Sequence, residues 1–508
     1  MERTLGRLTE QAWERFDDYP SLFFEGRWYH SQELAERARR VAGGLAGLGV
    51  RPGDRVVVMM ANCPEVGITY QALWRAGAAI TPVVFLVSHD ELRHILVDSG
   101  ARLVVTTSEV LLTVQLAADG LDVPIVVAGD APEGTIPYAD LEQADELPLV
   151  DRAEDDMAAL MYTGGTTGRA KGVMLTHAGL YRASQSSQQA GRVPGLTRAL
   201  IPLPLSHSFG LLTTLVGMHT DEPNVAVLMR WFDAKEWIRL AAEHRIQRCP
   251  LVPAMIHMLL AEPDFGRTPL PELRYVVSGA APLAREALEE FERRVPGVQI
   301  LEGYGMTETC ATTAVNRPGD RRIGSVGKPL PGYTVTIRDD EGRALPPGED
   351  GEICIASDSL MLGYWHAEDA TATAMSDGEL RSGDIGHLDE DGFLYIVDRK
   401  KDLIIRGGFN VFPRDVEDVL AEHPEVTMAG VVGRPDPKSG EEVVAFVSLV
   451  PGATVTPAEL VEWTRERIGR IKYPREIHVV DSVPVTRVFK TDRKRLREML
   501  KELPSPTS

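Results

Sequence analysis

The sequence predicts an α/β protein with a large N-terminal domain of several sheets and a small α+β domain behind it, and three observations carry that expectation. The chain has 508 residues, about three times what a single-core domain usually holds. Short β-branched runs alternate with helical patterns over its first two-thirds, the order that builds βαβ units and largely parallel sheets. After about residue 400 that alternation gives way to two helices interleaved with three strands, a unit of about a hundred residues that is large enough to fold alone.

Taken in order, 31–48 is expected as a helix with Ser31 as N-cap and Gly49 just past its end, because Leu34, Ala35, Ala38, Val41, Ala42 and Leu45 recur at helical spacing. Arg55-Val56-Val57-Val58-Met59 reads as a strand, 64–77 as the helix after it and Ala79-Ile80-Thr81-Pro82-Val83 as the next strand. In the C-terminal part a helix opens at Pro413, strands fall near 426–432 and 443–450, a second helix opens at Pro457 and a strand lies near 477–480. The charged run Asp398-Arg399-Lys400-Lys401-Asp402 separates the two parts. The expected division is therefore a domain over 1–398, a hinge at 399–402, a lid over 403–503 and a disordered tail at 504–508.

Composition excludes several classes. With 44% hydrophobic and 25% charged residues, the chain is an ordinary globular sequence and not a disordered one. Its formal net charge of −20 repels a phosphate backbone, so nucleic acid is not an expected partner. Cys63, Cys249, Cys310 and Cys354 lie too far apart for a paired metal motif and indicate a reducing compartment, with the cytoplasm as the simplest address. The N-terminus carries no secretory pattern, the final residues are not a peroxisomal tripeptide, and the longest apolar stretch, 76–87, contains Pro82 and is too short to span a bilayer.

The strongest local signal is Tyr162-Thr163-Gly164-Gly165-Thr166-Thr167-Gly168-Arg169-Ala170-Lys171-Gly172, directly after an apolar strand at 157–161. Its glycines let backbone approach an anion, Thr163, Thr166 and Thr167 offer hydroxyl donors, and Lys171 adds a positive charge on a long arm. These are the parts of a phosphate cradle, although the spacing is neither a Walker loop nor a dinucleotide fingerprint. Further along come Pro202-Leu203-Pro204-Leu205-Ser206-His207-Ser208-Phe209-Gly210, Ser278-Gly279-Ala280-Ala281-Pro282-Leu283, Gly303-Tyr304-Gly305-Met306-Thr307-Glu308-Thr309, Ser382-Gly383-Asp384, Asp398-Arg399 and a late lysine, Lys490. Six elements in this order, over more than 300 residues, resemble the adenylate-forming superfamily of acyl-CoA synthetases, amino-acid adenylation domains and beetle luciferases.

Several roles follow from that resemblance. Glu308 is a hard oxygen ligand suited to Mg²⁺, and Thr307 a donor to the α-phosphate. Glu302, Gly303, Tyr304 and Gly305, with the small-residue stretch Gly279-Ala280-Ala281, are implied to hold the adenine; Thr163, Gly164, Gly165, Thr166, Thr167, Gly168 and Lys171 the phosphates; and Asp384 and Arg399 the ribose. His207 stands at the implied gate between carboxylate and nucleotide, and Lys490 is implied to bridge the two anions during adenylation. The small domain is implied to be mobile and to turn about Lys401 between half-reactions, bringing in Gly407, Gly408 and Phe409 as a channel for coenzyme A. ATP, Mg²⁺ and coenzyme A are thus the expected cofactors and co-substrate.

Ser208 occupies the position where amino-acid-activating relatives carry an aspartate for the substrate ammonium, which disfavours an amino-acid substrate. Phe209, Leu211, Leu212, Val277, Met306 and Cys310 form the expected acyl pocket, uncharged and suited to a hydrophobic fatty, aryl or polycyclic acid. Gly164, Ala170, Glu302 and above all Phe489 depart from the family pattern, the last replacing a glycine before Lys490. The expected reaction is activation of a small-molecule carboxylic acid to acyl-AMP and transfer to coenzyme A. Its rivals are adenylation alone, loading of a carrier protein, a luciferase-like oxygenase, and an ATP-binding protein without turnover.

Overall fold

The computed structural model describes residues 3–163, 170–407, 409–436, 439–486 and 491–503. Two compact units are formed, one from Met1–Ala280, Glu290–Thr334 and Ile355–Leu380, the other from Ala281–Glu289, Val335–Cys354 and Arg381–Ser508. The chain therefore enters the second unit for the last time at Arg381, ahead of the charged run at 398–402.

Two sheets build the first unit. In the eight-stranded one, Val56, Val57 and Val58 of the strand Arg55–Met59 are all buried, as expected where helices cover both faces of parallel strands. That strand lies parallel between Ala79–Pro82 and Val104–Thr107. At the other end of the sheet, Met157–Thr163 and Lys171–Thr176 form an antiparallel hairpin, and Gly363–Tyr364 is added antiparallel to its outer strand. The nine-stranded sheet has Gln299–Tyr304, Tyr275–Ser278, Arg248–Leu251, Arg198–Ile201 and Val225–Leu228 side by side in that order. All five run parallel, so their C-terminal ends share one edge.

The helix expected at 31–48 spans Ser31–Gly47, with Ala35, Ala38, Val41, Ala42 and Leu45 fully buried. Its cap differs from expectation. Ser31 is the first helical residue, and the cap position falls to His30, whose side chain makes no capping bond. Asp18 does that work from outside the helix: its Oδ1 accepts from the Gln32 amide at 3.1 Å and from Ser31 Oγ at 3.2 Å. A carboxylate brought to the first turn by tertiary folding satisfies the orphan amide and suits the helix dipole.

In the second unit, residues 384–388 pair antiparallel with 394–399. The C-terminal sheet runs Phe409–Val411, Ile404–Arg406, Gly440–Leu449, Val426–Asp436, with Glu476–Val479 parallel to Gly440–Leu449. Helices Pro413–Ala421 and Pro457–Arg467 open on proline at the first helical turn, as their sequences require. They bury Val416, Leu420 and Leu460 against Val431 and Val447, while Leu496 and Leu500 of Arg493–Glu502 cover Val432, Val444 and Phe446. Apolar residues on alternate positions thus serve two cores, one on each face. Among the described residues, no helix is long and apolar enough to cross a membrane.

Candidate active site

Glu302, Gly303 and Tyr304 end the strand Gln299–Tyr304, and the chain then folds back on itself through Gly305. A Cβ at Gly305 would lie 1.8 Å from the Ala311 carbonyl oxygen, so only glycine lets these two backbone segments approach so closely. Between them Thr307–Thr309 form a single helical turn, followed by Cys310 and Ala311 in left-handed conformation at φ 56° and 89°. Thr309 Oγ1 donates to the Met306 carbonyl at 3.0 Å, and the Tyr333 hydroxyl donates to the Thr309 carbonyl at 2.8 Å. Thr307 and Glu308 therefore sit in a turn whose shape is secured from three sides.

Glu308 is held twice. Its carbonyl accepts from the Met361 amide at 2.8 Å, and its carboxylate Oε1 accepts from the Tyr364 hydroxyl at 2.8 Å. Tyr364 is half-buried; burial, and then the charge of Glu308, push its hydroxyl above the ordinary phenol range, so it remains a proton donor. The same ring carries Lys171 Nζ at 5.3 Å from its centre. This follows from strand pairing, since Tyr364 is opposite Val173 and Lys171 is opposite Thr163 in the hairpin. Cation, aromatic ring and carboxylate thus converge from three separate stretches of chain. The sequence reading missed Tyr364: its one trace was Gly363-Tyr364-Trp365, 56 residues from its partner.

Ser278 pairs with Glu302, which brings Gly279 beside Gly303. A Cβ at Gly279 would meet Gly303 O at 3.4 Å and Phe209 Cε1 at 3.6 Å, so small residues here leave the adjoining space open. Ala280 follows with φ 70°, and Ala281 continues the segment. His207 is the N-cap of helix Ser208–Gly217, where its Nδ1 accepts from the Phe209 amide at 3.3 Å. In the second unit Asp384, buried at 7% exposure, lies opposite Arg399 with Nε to Oδ1 at 3.4 Å, after a Gly383 at φ 70°. Lys401 is in the short helical turn Lys400–Asp402, Gly407 has φ 61°, and Phe409 is exposed. Gly164, Gly165, Thr166, Thr167, Gly168, Gly408, Phe489, Lys490 and the tail at 504–508 lie outside the described residues.

A cavity of about 380 Å³ opens against the nine-stranded sheet. Alternate residues on one sheet face line it, including Ala199, Ala226, Val277 and Leu301. On helix Ser208–Gly217 the lining residues are Phe209, Leu212, Thr213, Thr214, Val216 and Gly217, centred on the helical stripe Phe209, Leu212, Thr213 and Val216 at i, i+3, i+4 and i+7. Two corrections to the expected pocket follow. Leu211 is turned away, because one residue is about 100° of helix, and it is 1% exposed in the core, while its neighbour Leu212 lines the cavity. Met306 and Cys310 belong to the Glu308 turn and are not among the lining residues; burial pushes the Cys310 thiol up to about 12. Nor is the lining uncharged, since Arg15 and Arg248 both contribute to it.

Comparison with known proteins decides the lineage. A model described as AMP-binding enzyme matches residues 9–365, and one described as AMP-binding enzyme C-terminal domain matches residues 415–490. The chain belongs to the AMP-binding enzyme family. Among curated AMP-binding enzymes, it is 35% identical to a feruloyl-CoA synthase of an Amycolatopsis species over 460 residues, 89% of this chain and 90% of that one. It is 34% identical to a fatty acid–[acyl-carrier-protein] ligase of Streptomyces coeruleorubidus, over 94% of this chain and 93% of the other. Among solved structures, ATP-bound MatB from Rhodopseudomonas palustris superposes with TM-score 0.89 at 31% identity, covering 99% of both chains. The AMP-binding fold thus accounts for the whole sequence, with the large α/β domain first and the smaller domain after it.

Proposed function

We propose that this enzyme uses ATP to convert a hydrophobic carboxylic acid into its acyl-adenylate and then passes the acyl group to coenzyme A. The observation that carries the reading is the convergence of Lys171 and Tyr364 on Glu308, whose turn follows a cavity-lining strand. A cation beside a held carboxylate suits a bound triphosphate, and a largely apolar cavity lined by the preceding strand suits the acid. Ser208, buried and uncharged at the helix start, favours an acid without an α-ammonium group.

In the first step a carboxylate oxygen of the acid attacks the α-phosphorus, and the bond to the β-phosphate breaks to release pyrophosphate. Thr163, the loop at 164–168 and Lys171 hold the phosphates, Thr307 donates to the α-phosphate, and Lys490 bridges the two reacting anions. Gly279, Ala280, Ala281 and Tyr304 flank the adenine, and Asp384 with Arg399 takes the ribose. A Mg²⁺ ion fits this site: with Tyr364 on Oε1 of Glu308, the other carboxylate oxygen is a hard ligand that would hold the cation. When bound, it would supply charge neutralisation at the phosphates. Among the described residues no group of three His, Cys, Asp or Glu offers an all-protein metal cage.

In the second step the thiol of coenzyme A attacks the acyl carbonyl carbon and AMP leaves. The small domain turns about Lys401, withdrawing Lys490 and bringing Gly407, Gly408 and Phe409 toward the thiol's path. The neighbours of Lys401 are ion-paired, Lys400 to Asp340 at 2.9 Å and Asp402 to Arg497 at 2.7 Å. All four cysteines are free and buried, in keeping with a reducing, cytoplasmic setting.

A second reading, delivery to a carrier protein, has the similarity to the fatty acid–[acyl-carrier-protein] ligase in its favour. Pyrophosphate exchange across an acid panel tests the first step; adding coenzyme A or a phosphopantetheinylated carrier protein tests the second. Acid-dependent exchange with thioester formed on coenzyme A supports the reading. Exchange with product only on the carrier transfers it to the rival, and no exchange with any acid overturns both.

A further inference from the structure

The acyl cavity holds a charge that nothing in it answers. Its lining contains two arginines, Arg15 and Arg248, and no aspartate or glutamate among the described residues. Arg15 is occupied, its Nη1 donating to the carbonyls of Met218 at 3.0 Å and Thr220 at 2.7 Å. The half-buried Arg248 side chain makes no hydrogen bond or ion pair to any described residue. Burial lowers its pKa with no acidic group acting to restore it. In the sheet it is flanked in register by Ala199 on one side and Tyr275 on the other, with Ala226 beyond Ala199, so two small residues leave space next to its stem. A second unsatisfied group, the buried Ser187 hydroxyl, lines the same cavity with no partner among the described residues.

We propose that Arg248 binds a second carboxylate at the far end of the substrate, so that the acid this enzyme activates is a dicarboxylic acid with an apolar spacer. The inference rests on the acyl-adenylating reading of the site and refines its substrate class. An all-apolar tail filling the cavity would strip water from the guanidinium and leave it unpaired, a costly arrangement. A carboxylate meets the same fork with two parallel charge-assisted bonds. Geometry sets the length. Arg248 stands level with Tyr275, and Gly279 at the reacting edge lies four residues further along that neighbouring strand, which is roughly 13 Å of extended chain. The spacer is therefore of medium length, and the apolar walls along it are those already described.

The test compares α,ω-dicarboxylic acids of increasing length with the monocarboxylic acids of the same carbon skeleton, by pyrophosphate exchange, in wild type and in Arg248→Met and Arg248→Lys. For wild type the expected result is an optimum at medium length and a preference for the diacid in kcat/KM of at least about tenfold. Arg248→Met should reverse that order, raising kcat/KM for the monoacid and lowering it for the diacid, while Arg248→Lys retains part of the preference. The wild-type comparison needs no variant to fold. Monoacids used as well as diacids by wild type, or selectivity unmoved in Arg248→Met, would overturn this inference and leave the adenylating activity standing. Absence of exchange with every acid would overturn that activity and this inference together.

Discussion

Replacing Tyr364 with phenylalanine removes one oxygen and leaves the ring, which separates its two contacts. The lost contact is the hydroxyl donated to Glu308 at 2.8 Å; the retained one is the face that Lys171 Nζ approaches at 5.3 Å. A hydrogen bond to a charged acceptor contributes about 1.5–3 kcal/mol, and because both groups are only half-buried the lower part of that range applies. At 1.36 kcal/mol per decade this corresponds to roughly a 10- to 30-fold loss in kcat/KM for adenylation. A Glu308 carboxylate free to rotate should also raise the Mg²⁺ concentration needed for half-maximal rate. Tyr364→Leu removes the ring as well and should cost a further factor of about 2–5, the value of an exposed cation–π contact. Pyrophosphate exchange titrated with Mg²⁺ reads both effects, and a double-mutant cycle with Glu308→Gln should give a coupling of at least about 1 kcal/mol. Wild-type kcat/KM and metal dependence in Tyr364→Phe, or strict additivity in the cycle, would refute the assignment of Tyr364 to the site.

Lys490→Ala should nearly abolish acyl-AMP formation yet spare transfer from supplied acyl-AMP to coenzyme A; equal loss of both half-reactions defeats the two-state role of that lysine. Gly305→Ala puts a Cβ 1.8 Å from the Ala311 carbonyl oxygen, where about 3.0 Å is needed. It should lower stability by about 1–3 kcal/mol and reduce adenylation through the displaced Glu308 turn, whereas Gly47→Ala, with nothing within 4 Å, should be neutral or stabilising in a thermal melt. Burial, reinforced by the charge of Arg152, lowers the pKa of His177 to about 4 from 6.5, and its Nδ1 accepts from the Leu5 amide at 3.2 Å. The native chain therefore binds fewer protons than the unfolded one in that window, so stability is lost as pH falls from about 6.5 towards about 4, by about 3 kcal/mol in all. His177→Asn keeps an acceptor without a titrating group and should flatten the melting temperature between pH 7 and pH 5; an equal slope in both proteins contradicts the linkage.

Much of this protein is written in local sequence. The hairpin Met157–Thr163 and Lys171–Thr176 follows from an apolar run, a glycine cluster and a second β-branched run, and the helices at Pro413 and Pro457 from proline at their first turn, where its missing amide costs nothing. The two buried faces of the C-terminal sheet follow from apolar alternation alone. The order of the six motifs was likewise enough to identify the family, because turns such as that of Gly305 to Glu308 are built by neighbouring residues.

What sequence left open depends on groups that are distant along the chain. Asp18 caps a helix that Ser31 was expected to cap, because its carboxylate reaches the first turn only after folding. Arg493, one of three consecutive basic residues in the sequence, donates to both carboxylate oxygens of Glu417 at 2.8 and 2.9 Å across 76 residues. Leu211 and Leu212 are equally apolar, and only the rotation of their helix against the sheet decides which meets the cavity. Tyr364 finds Glu308 by strand addition, and Arg248, an unremarkable arginine in the sequence, becomes a charge without a partner among the described residues because the sheet places alanines beside it and no described carboxylate lines its cavity. Composition and local pattern determined the elements, the family and the reaction expected of it. Tertiary structure decided which side chains share a site and which charges lack a partner, since those depend on distances in space that no spacing along the chain encodes.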